Sequence, residues 1–256
     1  MNIVHFIGAG PGAADLITLR GARLLESAEV VVYAGSLVDL ELVRTYAPHA
    51  EIHDSAGLTL EQTTRLLAAA AAAGKRAVRL HTGDPSLYGA IQEQMAELDR
   101  LGVGYEVVPG VTSAFAAAAA LKQELTLPEV SQTVIVTRLA GRTPVPEREQ
   151  LQKIAQIGAT LVIYLSVGMI EEVAAALLQG AYTATTPAAV VAKASWPDQQ
   201  VVEGTLGDLA GKVRTAGIDR QAVIIVGDVL KGRREGLAAV SKLYDGTFAH
   251  GYRQAE

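Results

Sequence analysis

The chain has 256 residues, half of them apolar and 19% charged, a balance that excludes a wholly disordered or fibrous chain. Its 22 basic and 27 acidic side chains leave a net charge of -5, which argues against a general nucleic-acid binder. It has no cysteine, so disulfides, thiolate zinc sites, iron–sulfur clusters and a cysteine nucleophile are excluded. The length suits two domains of about 100–150 residues each. The apolar stretches Ala68–Ala73 and Ala114–Leu121 fall short of the ~18–20 residues that span a bilayer. The chain opens in a strand-like run rather than a basic, apolar leader. The expectation is a soluble cytoplasmic protein with no membrane, metal or nucleic-acid partner.

Short β-branched runs alternate with longer Ala/Leu/Glu/Arg-rich stretches. The runs predict buried strands at Ile3–Ile7, Val30–Tyr33, Glu51–His53, Ala77–His81 and Tyr105–Val108. Between them, helices are predicted over Thr18–Ser27, Leu37–Tyr46, Leu60–Ala73 and Leu87–Leu101, with Gly74 and Gly102 placed as C-caps. The pattern changes after Val108-Pro109-Gly110. A small-residue helix is expected from Thr112 to Leu121. Strands follow at Thr133–Thr137, Thr160–Tyr164, Ala188–Ala192, Val201–Gly204 and Ala222–Val226, and helices at Pro146–Gln156, Met169–Gln179 and Leu206–Ala216. Alternation in the first half implies a mostly parallel sheet covered on both faces. The strand pairs of the second half suggest a mixed sheet. The expected fold is therefore two α/β domains, 1–110 and 111–256, with a peripheral tail from Lys231.

Three glycine-bearing loops fall at strand ends. Gly8-Ala9-Gly10-Pro11-Gly12 follows the first strand. It is a poor dinucleotide fingerprint: the spacing is not G-x-G-x-x-G, Pro11 lacks an N–H, and the second strand ends in Tyr33 where a ribose would need a carboxylate. His81-Thr82-Gly83-Asp84-Pro85-Ser86-Leu87-Tyr88-Gly89 follows the fourth strand, and Pro109-Gly110-Val111-Thr112-Ser113 the fifth. Each glycine can serve a tight turn, and Asp84 can serve as the N-cap of the next helix with Pro85 in its first turn. Carboxyl ends of strands are also where ligands bind in open α/β sheets, and three such loops together describe a small-molecule crevice.

The run Gly8–Thr18, Gly83-Asp84-Pro85 with Tyr88-Gly89, and Val108–Ser113 resemble the tetrapyrrole (corrin/porphyrin) methylase family. Tyr33–Val38, His81–Ile91, Thr137–Pro146 and Lys193–Asp198 are similar to a branch of it that acts on corrin precursors in cobalamin synthesis. The sequence departs from much of the family in carrying Thr82 in place of glycine and Ala34 in place of an acidic residue. The resemblance implies two α/β domains, a homodimer, and S-adenosyl-L-methionine as cofactor in a cleft between the domains, leaving as S-adenosyl-L-homocysteine. Carried over by position, the cofactor contacts are Pro11, Thr82, Gly83, Asp84, Leu87, Thr112 and Ser113, then Leu165, Ala194 and Ala222. Asp84 is the candidate catalytic carboxylate.

The implied tetrapyrrole substrate carries several carboxylates while the chain is net negative, so basic groups are required locally. Arg138, Arg142 and Lys193 are the expected substrate contacts, with Arg79 a further candidate; each lies in or beside a strand-end motif, and each reads equally as a surface charge. Trp196 reads as a stacking surface or as local packing, and His81 as structural. The open alternatives are a methylase of the same fold with another substrate or ring position, and a noncatalytic tetrapyrrole-binding protein.

Overall fold

A computed structural model describes residues 3–232, 236 and 239–255. Part of the expected tail, at 233–235 and 237–238, lies outside the described residues. The first sheet contains β1 (Val4–Gly8), β2 (Val30–Tyr33), β3 (Glu51–Asp54), β4 (Ala77–His81) and β5 (Tyr105–Val108), in the order β3-β2-β4-β1-β5. All four pairings are parallel. This is the arrangement implied by short, continuously apolar strands, because both faces of the sheet are covered.

Helices α1 (Leu19–Glu26) and α2 (Leu40–Tyr46) share one face, where Leu25 and Leu42 pack with Ile7, Val31 and Leu80. Helices α3 (Leu60–Ala72) and α4 (Ile91–Arg100) share the other, where Leu67 and Leu98 pack with Phe6, Val32 and Ala77. Local chemistry sets the helix ends. Thr59 and Gln62 form a reciprocal capping box at α3. Asp39 caps α2 by accepting from Glu41 N, so α2 starts three residues later than the expected Leu37. Gly74 and Gly102 take positive φ after α3 and α4, as C-caps do.

Then come α5 (Ser113–Leu121) and a second sheet built from β6 (Val134–Arg138), β7 (Thr160–Tyr164), β8 (Pro187–Ala192), β9 (Gln200–Thr205) and β10 (Ala222–Val226). Its order is β6-β7-β10-β8-β9. β6 and β7 are parallel and the remaining pairs antiparallel, giving the mixed sheet expected. A core around Leu161, Ile163, Val190 and Ile224 packs with Leu177 of α7 (Ile170–Leu177) and Val213 of α8 (Leu209–Thr215). The expected helix Pro146–Gln156 is broken: a 3-10 turn at Glu147–Glu149, a short α6 (Leu151–Ile154) and a 3-10 turn at Ala155–Ile157.

Two compact units result. One runs up to Ala116 and includes Ala194–Asp198; the other comprises Ala117–Lys193 and the residues from Gln199 onward. Among the described residues no helix is long and apolar enough to cross a membrane.

Glycines separate into required and replaceable positions. A Cβ on Gly110 would run into the Gly83 carbonyl and lie 2.8 Å from Gly8 Cα, whereas a Cβ on Gly211, inside α8, would meet nothing within 4 Å. Gly211→Ala should therefore stabilise the fold by ~0.5–1 kcal/mol. Gly110→Ala should destabilise it by at least the ~1–3 kcal/mol typical of overpacking. Urea midpoints of the two variants should move in opposite directions.

Candidate functional site

The loops after β1, β4 and β5 lock together through their backbones. Ala9 N donates to His81 O (2.7 Å), Gly10 N donates to Gly83 O (3.2 Å) and Gly83 N donates to Gly10 O (2.8 Å). A Cβ on Gly8 would lie 2.5 Å from Gly83 O and 2.6 Å from Gly110 Cα. These glycines are thus explained by loop packing on loop. Gly10 has φ +81°, and Gly12 lies directly under the indole of Trp196. Trp196 Nε1 donates to Pro11 O (2.9 Å), and Ser195 Oγ accepts from Ala13 N (3.0 Å). Of its two sequence readings, Trp196 takes local packing.

Asp84 ties two of these loops. One carboxylate oxygen accepts from Ser86 N (2.8 Å) and the other from Gly110 N (2.9 Å). It is not the cap of the following helix, because α4 begins only at Ile91. Residues 85–88 form a turn, and Tyr88 and Ala90 both take left-handed φ values, 56° and 49°. Such conformations cost ~1–3 kcal/mol each and gather at ligand sites.

Pro11, Thr82, Gly83, Asp84, Leu87, Thr112, Ser113 and Ala194 all fall in the first unit. There the Cβ direction of Gly83 points at Thr112 Cα (3.7 Å) and Ser113 N (3.8 Å). Leu87 is 36% exposed, while Pro11, Thr112 and Ala194 are buried. The donor set fits the implied cofactor: a carboxylate has about four acceptor sites, and Asp84 uses one on each oxygen. Hydroxyls of Thr82, Thr112 and Ser113 stand in the same loops.

The other expected residues gather at one end of the second sheet. Arg138 ends β6 opposite Tyr164, and Leu165 follows β7. Lys193 N donates to Gln221 O (2.8 Å), next to Ala222 at the start of β10. Leu165, Lys193 and Gln221 have φ of 53°, 47° and 52°. The sequence singles out Tyr88 and Ala90 within a motif but not Gln221, and it shows the left-handed conformation of none of the three, since such conformations at non-glycine residues leave no compositional trace.

The two expected arginines differ. Arg138 staples its own loop, with Nη1 donating to Thr143 O (3.1 Å) and Nη2 to Pro144 O (2.6 Å). Arg142 is exposed and pairs with no described residue.

Two buried basic groups lie on β4. Arg79 is pulled down to about 10 by burial, opposed by Asp54, and stays protonated at neutral pH. His81 is 4% exposed and stacked on Phe6 at 6.0 Å. Burial, reinforced by Arg79, pulls it down to about 3, and its Nε2 has no hydrogen-bond partner. It is therefore a neutral, structural histidine, as expected.

Fold and site together define a two-unit α/β protein with three interlocked glycine loops at the carboxyl ends of a parallel sheet. The family model for Tetrapyrrole (Corrin/Porphyrin) Methylases matches residues 3–210, and the chain belongs to that family. It is 55% identical over 228 residues to a precorrin-4 C(11)-methyltransferase of Mycobacterium tuberculosis, covering 89% of this chain and 91% of the relative. The solved structure of a cobalamin biosynthetic enzyme, cobalt precorrin-4 methyltransferase, superposes with a TM-score of 0.86 at 48% identity, over 89% of this chain and 95% of that one. A uroporphyrin-III C-methyl transferase from Thermus thermophilus, complexed with S-adenyl homocysteine, superposes with a TM-score of 0.77 at 32% identity, over 90% and 99%.

The depressed His81 makes stability depend on pH. Between about 3 and the unfolded value of 6.5 the unfolded chain binds more protons, so stability is present above 6.5 and is lost as pH falls through that window. The loss from pH 7 to 5 attributable to His81 should be ~2 kcal/mol. Urea unfolding at both pH values should show a smaller drop for His81→Leu than for the parent; equal drops would contradict a buried neutral imidazole.

Proposed function

We propose that this chain transfers a methyl group from S-adenosyl-L-methionine to C11 of precorrin-4, giving precorrin-5 in cobalamin biosynthesis. The observation that carries the reading is near-full-length similarity to precorrin-4 methylases, with the rim loops intact. The bound product in the Thermus relative supports the choice of cofactor. On the first unit, Pro11, Thr82, Gly83, Asp84, Leu87, Thr112, Ser113 and Ala194 hold the cofactor; the family resemblance extends the set to Leu165 and Ala222. The cofactor supplies an electrophilic methyl group on a sulfonium.

The remaining work is positioning. Holding nucleophile and methyl in line at about 3–3.5 Å can supply ~7–11 kcal/mol without a covalent catalyst. A base would add ~10²–10⁴-fold. In this reading Asp84 is a fixed acceptor whose two backbone bonds hold it still, and its catalytic part is orientation of the cofactor. Arg142, Lys193 and the remaining donors of Arg138 meet peripheral carboxylates of the tetrapyrrole. The cytoplasmic location and the homodimer implied by the resemblance belong to the same proposal; light scattering on the purified chain tests the homodimer.

The deciding experiment incubates the protein with labelled cofactor and either precorrin-4 or its cobalt form. Label should appear on one of them; label on neither rejects the reading. S-adenosylhomocysteine at 100 times its dissociation constant should stabilise the fold by ~2.7 kcal/mol. Asp84→Ala should weaken that binding, and also cost ~1–3 kcal/mol because Gly110 N loses its acceptor.

The two arginines should separate. Arg142→Ala should raise KM for the tetrapyrrole a few-fold, more at low salt than at high, with cofactor affinity unchanged. Arg138→Ala should lower the melting temperature as well, because it releases the loop 139–144. Steady-state kinetics and thermal melts on both variants check this.

A further inference from the structure

A cavity of about 270 Å³ opens on the first unit, apart from the interlocked glycine loops. Its chemistry centres on Arg79, which is 8% exposed. The guanidinium is held rigidly by neutral groups: Nε donates to Gln94 Oε1 (3.0 Å), and Nη1 donates to Ser55 Oγ (2.9 Å) and Val32 O (3.3 Å). Gln94 is itself fixed, with Nε2 donating to Ala90 O (3.0 Å). Nη2 makes no hydrogen bond to any described residue, and no described carboxylate lies within ion-pair distance. The nearby acid, Asp54, is committed elsewhere: its Oδ1 accepts from Gly35 N and Ala56 N. Asp54 offsets the charge only from beyond ion-pair distance, and a buried cation with no carboxylate in contact is costly. Arg79 lines the cavity, and the two N–H groups of Nη2 are its remaining donors.

The remaining wall defines what could enter. Leu58, Leu60 and Ala90 give it an apolar side, and Thr63 a hydroxyl. Glu93, exposed on the same wall, makes the cavity unfavourable for a multiply charged anion. The volume is just under the ~300–1,000 Å³ of pockets for whole drug-sized ligands. It admits a side arm and not a macrocycle.

We propose that this cavity is a carboxylate pocket, in which Arg79 grips a single carboxylate carried on a short aliphatic arm while Gln94 positions its guanidinium. Resting on the function proposed above, the arm is one acidic side chain of the tetrapyrrole. The pocket would then set the rotation of the macrocycle, and with it which ring carbon meets the methyl group.

The test uses the full chain with Arg79→Met, Arg79→Lys and Leu60→Trp. Tetrapyrrole KM, S-adenosylhomocysteine affinity by calorimetry and melting temperature are measured on each. Arg79→Met should raise KM roughly tenfold or more, with product affinity kept. Arg79→Lys should recover part of the loss, since it keeps the charge but lacks the bonds to Gln94 and Ser55 that orient the guanidinium. Leu60→Trp narrows the cavity from a half-exposed position and should reproduce the KM effect if Arg79→Met fails to fold. Glutarate, titrated into the parent and Arg79→Met in the absence of tetrapyrrole, tests a free acid as the source of the carboxylate. Binding to the parent alone, with every KM unchanged, supports the pocket and reassigns its ligand to a free acid. Unchanged KM in all variants with no glutarate binding overturns the pocket. If the parent methylates neither form of precorrin-4, the functional reading fails, and glutarate binding then decides the pocket by itself.

Discussion

Three glycine backbones meet, and at two of them no side chain fits. Gly8, Gly83 and the residue after Pro109 come together at the carboxyl ends of β1, β4 and β5, which are neighbours in the sheet order. Gly8 and Gly110 approach the Gly83 carbonyl and each other more closely than any Cβ would allow. Parallel strands force this: each chain leaves the sheet on the same edge, so adjacent loops compete for the same space. Glycine resolves the competition by letting one loop's carbonyl lie against the next loop's Cα. Asp84 then adds a side-chain bond across the junction, from a carboxylate to Gly110 N. The result is a platform of backbone rather than of mobile side chains, and binding groups set on such a platform keep their geometry.

That rigidity has a counterpart in local strain. Tyr88 ends the turn that leaves the platform and Ala90 follows it, and Leu165, Lys193 and Gln221 gather at one end of the second sheet, all with φ near +50°. Each costs ~1–3 kcal/mol, which the surrounding packing must offset. Ala90 shows why the strain persists. Its carbonyl accepts from Gln94 Nε2, and Gln94 in turn fixes Arg79.

The ten strands among the described residues are legible in the sequence, five of them to the residue; strands buried on both faces, such as Val30–Tyr33 and Ala77–His81, are continuous runs, while the partly exposed Glu51–Asp54 and Gln200–Thr205 are legible only within a residue or two. Helix starts were harder to read. Leu87–Ala90 has helical composition, yet Asp84 turns the chain first and the helix waits for Ile91. Pro146–Gln156 has helical composition too, but it divides into three short pieces. The glycine motifs are open in the sequence between tight turns with close packing and backbone making room for a ligand. At Gly8 and Gly110 the space is taken by other backbone, and at Gly12 by Trp196. Partners 180 residues away in sequence leave no local signal. The same holds for Arg138, whose bonds to Thr143 and Pro144 depend on a loop conformation that composition does not encode.

For the proposed substrate, which bears several carboxylates, a chain of net charge -5 cannot rely on its overall field. Beyond a Debye length of about 8 Å that field is screened at physiological salt, and inside it the net sign is wrong. Recognition must therefore come from cations that act at contact. The structure supplies two kinds. Arg142 stands exposed in high dielectric, where a pair contributes little and salt weakens it. Arg79 stands buried, its guanidinium already oriented by Gln94 and Ser55, so under the proposal a ligand carboxylate need not repay the entropy of ordering it. Burial also strengthens the contact, since each charge is worth more in low dielectric. An acidic protein can thus bind an acidic ligand when its decisive cation is hidden from water and from its own surface charge.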